Sequence, residues 1–231
     1  MKLHVINSGS SGNCYLIVSQ GHTLIIEAGK GTFEDALKVI PDIKKIAGVI
    51  ISHKHGDHFG DAEKWASHGI KVYGPDNMEH ANQFNLACAG EVPFSVIPIY
   101  TEHDPGLICF SFYIRSNVEC KDFFFATDTF SYSRTINLLP TPLALCLVEC
   151  NHDSDLLFTS NYPAELQNRI SKTHTSVKRC ATGIQQSKCQ RFLLIHPSEN
   201  TLCKESAMRY FTETFPNREF KWAEPGVCWE V

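Results

Sequence analysis

The sequence predicts an α/β (α+β) chain in which two β-sheets pack face to face with helices outside them, a four-layer αββα sandwich. Three observations lead there. Short apolar runs rich in β-branched and aromatic residues read as strands. They fall in two blocks, each followed by helical patterns. A length of 231 residues, 43% hydrophobic and 20% charged, fits one globular domain over residues 1–231 better than two domains or a disordered chain.

In chain order the strand runs are Leu3–Ile6, Cys14–Ser19, Thr23–Ala28, Gly48–Ser52, Val72–Tyr73, Phe94–Ile99, Ile108–Arg115, Asp122–Ala126, Ala144–Val148, Phe192–Ile195 and Phe220–Ala223. Their length and residue types favour extended structure, and Phe123-Phe124-Phe125 reads as core strand. Helical patterns cover Thr32–Ile40, Asp61–Ser67, Pro75–Gln83, Pro163–Ile170, Thr175–Gln186 and Leu202–Thr214. Thr32 with Asp35, Asp61 as an N-cap, and Pro75 near a start supply N-terminal signals. The segment Asn151–Tyr162 breaks the periodicity. It reads as a surface connection, with a lid over a site as the rival.

Composition narrows the function. A formal charge of −4 disfavours a stable complex with long nucleic acid, which usually demands a Lys/Arg excess. No apolar run approaches the ~20 residues of a membrane span, and the N-terminus lacks a signal peptide's pattern. The expectation is a soluble cytoplasmic protein with no membrane partner. Ten cysteines without a C-x-x-C pair read mostly as small buried residues of a reduced compartment.

The histidines carry the chemistry. His53-Lys54-His55-Gly56-Asp57-His58 follows the apolar run GVIIS and offers three imidazoles and a carboxylate, donors suited to Zn²⁺. On a tight bend at Gly56, His53 and His55 would share one ion while Asp57 and His58 face a second. One loop cannot complete two coordination shells. His103, Asp128 and His196 each lie just past a predicted strand, where an open site above a sheet would collect them. Gly9–Asn13 is either an anion-binding nest or a plain hairpin turn.

HKHGDH with the later His, Asp and His resembles the metallo-β-lactamase superfamily. GSSGNCYLI (9–17), VECNHD (148–153), THTS (173–176) and IHPSEN (195–200) resemble its YycJ/WalJ-like branch, which includes bacterial DNA exonucleases and phage anti-Pycsar cyclic-nucleotide phosphodiesterases. The resemblance implies two zinc ions, with manganese as an alternative. His53, His55 and His103 would hold one, Asp57, His58 and His196 the other, and Asp128 would bridge them. It further implies a metal-bridged hydroxide attacking a phosphodiester. Glu27 stands where the superfamily usually places an Asp beside a ligand histidine, so that histidine's orientation is open. His174 takes a substrate role, binding phosphate or protonating the leaving oxygen, and His152 is a further pocket candidate. Ser10, Ser11 and Asn13 are candidate substrate contacts on the site floor. His4, His22, His68 and His80 are expected at the surface.

The expected activity is hydrolysis of 3′,5′-cyclic mononucleotides in the cytoplasm, the host cytoplasm if the setting is a phage rather than a bacterium. A YycJ/WalJ-type nuclease is the alternative, and a non-catalytic nucleotide-binding protein a remote one. Thioester, lactone and β-lactam hydrolysis rank lower. The branch resemblance also implies a homodimer, with the 151–162 segment as a candidate reach across it.

Overall fold

The computed structural model describes residues 1–78, 82–140 and 142–231. The chain runs β1 (Lys2–Asn7), β2 (Cys14–Ser19), β3 (His22–Ile26), α1 (Phe33–Val39), β4 (Ile46–Ile50), α2 (Gly56–Phe59), α3 (Ala62–Ser67), β5 (Val72–Tyr73) and α4 (Pro75–Met78). Then follow β6 (Phe84–Cys88), β7 (Glu91–Thr101), β8 (Cys109–Ser116), β9 (Lys121–Ala126), α5 (Ser133–Leu138), β10 (Leu145–Glu149) and α6 (Ser154–Thr159). The chain finishes with α7 (Ala164–Thr173), α8 (Val177–Gln186), β11 (Arg191–Ile195), α9 (Lys204–Thr214), β12 (Glu219–Trp222) and β13 (Cys228–Glu230).

One sheet has the order β13-β1-β2-β3-β4-β5, the other β12-β11-β10-β9-β8-β7-β6. Side-chain alternation explains how they pack. Phe123 and Phe125 point into the layer between the sheets, with Leu3, Ile17, Ile26, Phe112 and Leu193. Phe124, between them, points to the outer face, where Tyr132, Ile184 and Phe211 bring α8 and α9 onto the sheet. Each fully buried Phe contributes ~1.5–3 kcal/mol of apolar transfer. On the far side, Phe33 and Trp65 seat α1 and α3 against Leu16, Val49 and Ile51. The four layers expected from the pattern are present.

Both sheets contain parallel runs, β3-β4-β5 in one and β9-β10-β11-β12 in the other. The C-terminal ends of parallel strands lie together, which is where ligands collect in α/β sheets.

Several local expectations change. Residues 133–138 and 154–159 are helical and 84–88 and 228–230 are strands, although the periodicity marked none of them. The segment 151–162 is therefore not irregular. Asp153 caps α6, its side chain accepting from the amides of Asp155 (2.8 Å) and Leu156 (3.2 Å). The helix expected over 75–83 is seen for Pro75–Met78; residues 79–81, including His80, lie outside the described residues. Thr32 sits at the N-cap of α1 but donates its hydroxyl to the Gly29 carbonyl (2.7 Å). Asp61 caps that helix instead, accepting from the Phe33 amide at 3.0 Å, and makes no side-chain cap on its own α3. His22 is buried rather than at the surface, 3.5 Å from the Glu91 carboxylate. Six cysteines are buried (14, 109, 146, 150, 180 and 189), and all ten are free thiols. Among the described residues no helix is long and apolar enough to cross a membrane.

Candidate metal centre

The end of β4 delivers the histidine loop. Ser52 and His53 leave the strand buried, and the chain turns into α2, with His55 at its N-cap position. Asp57 and His58 thus sit on a helical turn that follows the bend, and the His58 ring packs against that of His53 (centroids 4.3 Å). Close backbone contacts clamp the turn in place. The Asn13 amide donates to the Asp57 carbonyl at 2.7 Å, and the Gly29 amide to the Asn13 carbonyl at 2.9 Å. A Cβ at Gly29 would lie 2.3 Å from both the Asn13 nitrogen and the Asp57 oxygen. Gly29→Ala must therefore push the 9–13 turn off the ligand loop. The expected result is a loss of roughly 1–3 kcal/mol of stability, as for other overpacked sites, with lowered zinc content; a thermal melt and metal analysis check both.

Three groups of donors converge, and within each the ligand atoms lie within 4.8 Å of one another. They are His53, His55, His103 and Asp128; Asp57, His58 and His196; and Asp128, Glu149, His174 and His196. Asp128 is the hub. Its Oδ2 lies 3.3 Å from His53 Nε2, 3.4 Å from His58 Nε2 and 3.6 Å from His103 Nε2. Its Oδ1 lies 3.3 Å from His196 Nδ1. Asp57 Oδ2 is 3.3 Å from the Nε2 atoms of both His58 and His196. Glu27, Asp128 and His196 have φ of 65°, 47° and 53°, left-handed conformations uncommon for non-glycine residues and adopted elsewhere in this chain by the turn residues Gln20, Ala89 and Cys120.

The donor set fits divalent cations. His103 Nδ1–H donates to the Thr173 carbonyl (3.2 Å), which fixes the tautomer and leaves a lone pair on Nε2 facing Asp128. His53 Nδ1 pairs with the Ser52 hydroxyl (2.9 Å), again turning Nε2 inward. His58 Nδ1 faces Glu27 Oε2 at 3.4 Å but has no aligned hydrogen-bond partner, an orphaned buried nitrogen. The longer side chain of Glu27 reaches the histidine, and its carboxylate also accepts from the Ser52 amide.

Electrostatics point the same way. Burial opposes charge on Asp128, yet His196, His58 and His174 hold its carboxyl well below the usual range. Asp57 is likewise held low against burial, by hydrogen bonds from His196 and His58. Burial drives His53 down to about 3, keeping it a neutral donor. His196 is pushed up to about 10: burial disfavours its charge, but Asp128, Asp57 and Glu149 outweigh that. The pocket concentrates negative charge that cations would satisfy in place of protons.

Glu149 was not singled out in the sequence. It ends β10 fully buried, accepting at Oε2 from the amides of Thr129 (3.2 Å) and Thr175 (3.0 Å). Its Oε1 is left for His174 Nδ1 at 2.7 Å and His196 Nδ1 at 3.3 Å. The signal was available, a carboxylate closing a buried apolar run as Asp128 follows FFFA. His174 sits at the C-cap of α7 rather than opening a helix, and its ring stacks on that of His196 (centroids 5.5 Å, interplanar 4°).

The remaining candidates separate. Ser10 lines a cleft of about 270 Å³ beside His174 and His196. Ser11 is exposed, accepting from the Asn7 side-chain amide at 3.1 Å. Asn13 is buried, its side chain tying Gly9 to Asp57 and His58, so it holds the ligand loop and has no surface to offer a substrate. His152 stands apart from all three donor groups. Its backbone bridges to Ser176, its ring is fully buried with no partner on either nitrogen, and burial lowers its pKa to about 4.

Two packed sheets with flanking helices, bearing a His/Asp metal site at the ends of their strands, define the class. The chain belongs to the metallo-beta-lactamase superfamily, whose family model matches residues 8–159. It is 26% identical over 188 residues to exodeoxyribonuclease YycJ of Bacillus anthracis, covering 74% of this chain and 71% of that protein. Among solved structures it resembles the metallo-beta-lactamase fold protein YhfI of Bacillus subtilis, with a TM-score of 0.72, 20% identity and 99% of both chains covered. It also resembles the short form of human tRNase Z, with a TM-score of 0.64 and 14% identity over 100% of this chain and 99% of that one.

Proposed function

We propose that the chain is a metal-dependent phosphodiester hydrolase that opens 3′,5′-cyclic mononucleotides to linear monophosphates, holding two divalent ions, zinc by preference. His53, His55 and His103 would hold one ion, Asp57, His58 and His196 the other, with Asp128 between them. When bound, such a pair supplies an activated water and neutralises phosphoryl charge. The chain's own side chains do the rest. Ser52 and the Thr173 carbonyl orient the imidazoles of His53 and His103, and the Glu27 carboxylate faces that of His58. Glu149 holds His174 through Nδ1, leaving Nε2 to deliver a proton to the departing oxygen.

The observation that carries the small substrate is the cleft. At about 270 Å³ it lies just below the usual range for drug-sized ligand pockets. An exonuclease acting on DNA ends is the second reading, favoured by the likeness to the Bacillus anthracis protein. The test is incubation of the zinc-loaded protein with 3′,5′-cyclic mononucleotides and, separately, labelled single- and double-stranded oligonucleotides, each with and without chelator. The expected result is chelator-sensitive formation of linear monophosphates with the oligonucleotides intact. Shortened oligonucleotides beside untouched cyclic substrates would make the protein a nuclease.

A further inference from the structure

One wall of the cleft differs in chemistry from the rest. Tyr162, Leu166 and Ile170 recur every four residues, from just before α7 along one face of it, and all three border the cleft. Ser10 and Ser198 border it as well, and His174 and His196 mark its metal end. The α7 side thus presents these three side chains beside Arg169, while the opposite side is mostly polar.

The aromatic ring is fixed in advance. Asn200 Nδ2 donates to the Tyr162 hydroxyl at 2.9 Å, tying the ring to the loop after β11. Gln167 Nε2 donates to the carbonyls of Ser160 (3.2 Å) and Tyr162 (2.9 Å), pinning the backbone that carries it. A flat group arriving there meets a face whose ordering entropy is already spent. On the same helix, Arg169 is drawn toward the metal end by a two-point contact with Asp104 (3.1 and 2.6 Å). Asp104 in turn lies 3.6 Å from His55 Nε2. A cation therefore stands at the phosphoryl end of the cleft and an aromatic ring farther along it.

We propose that the Tyr162–Leu166–Ile170 wall is a one-base slot, on which the nucleobase stacks while the attached phosphoryl group reaches the metal donors. This rests on the phosphodiesterase reading above and adds to it the part of the substrate that is selected. The wall offers one aromatic ring, Tyr162, so one base stacks there and further nucleotides of a longer strand find no second ring on it.

The experiment measures binding, not turnover. Zinc-loaded protein is titrated by calorimetry with 5′-AMP, with ribose 5-phosphate, which lacks the base, and with a 5′-phosphorylated trinucleotide of adenosine. AMP should bind about tenfold more tightly than ribose 5-phosphate, the scale of one base–aromatic stack. Tyr162→Ala should erase that preference while leaving ribose 5-phosphate binding and zinc content unchanged. Tyr162→Phe, which keeps the ring and loses the Asn200 hydrogen bond, should retain most of it. The trinucleotide should bind no more tightly than AMP.

Equal binding of AMP and ribose 5-phosphate by the natural chain would overturn the slot, as would a preference that survives Tyr162→Ala. A trinucleotide bound several-fold more tightly would overturn its single-base character. A protein that prefers AMP yet leaves cyclic nucleotides intact would keep the slot and lose the proposed activity, so the two failures are distinguishable.

Discussion

Asp128→Asn should give a folded protein whose turnover has fallen by more than about 10³-fold and whose zinc content is markedly reduced. The substitution keeps volume and, because Asn tolerates the left-handed region, keeps the φ of 47° without added strain. What it removes is the carboxylate charge shared by the two sides of the site. Its two oxygens lie 3.3 Å from His53 and His196, 3.4 Å from His58 and 3.6 Å from His103 and His174. A single misplaced charge-stabilising donor costs roughly 10²–10³ in rate, and here a shared anionic ligand is lost. His53→Ala should behave alike, since its ring is fully buried between Asp128 and His55. Circular dichroism, metal analysis and steady-state rates check the three parts. Full activity in either variant would remove the two-ion reading.

The location of that site was legible because it is written locally. HKHGDH is six consecutive residues, and His103, Asp128 and His196 each lie just past a run whose β-branched and aromatic residues read as a strand. Once those strands join in two sheets, their ends must meet. The less legible parts depend on distant partners. β13 is three residues long and exists because Leu3 pairs with Trp229 at the sheet edge, a contact no periodicity signals. Asp61 caps α1 from 28 residues away, so its identity as a cap was visible but its helix was not. Glu149 passed unremarked within VECNHD; only the fold shows that its two oxygens divide between backbone amides and histidine rings. Asn13 stood out within a polar Gly/Ser turn, yet burial assigns its amide to the ligand loop.

The Glu149–His174 pair gives the second large effect. His174→Ala should lower kcat by about 10²–10⁴-fold, the range of a lost general acid, with zinc retained. Glu149→Gln should cost about 10–100-fold, the range for a residue that orients a functional histidine. To the extent that Glu149 acts through His174, the double variant should be no slower than His174→Ala alone, since effects within one unit do not add; any further loss, with lowered zinc content, reports its second contact with His196. The pH profile separates orientation from simple damage. Burial opposes protonation of His174, but Glu149 and Asp128 prevail and raise its pKa, so the donating form survives to higher pH. Activity that needs this proton is lost as pH rises through that pKa. Removing the Glu149 charge lowers the pKa, so the alkaline limb should move to lower pH. A bis(p-nitrophenyl) phosphate ester, whose leaving group departs readily as an anion, should recover most of the rate lost in His174→Ala. If that variant instead loses zinc, His174 is a ligand completing the group of Asp128, Glu149 and His196, and the proton must come from another donor.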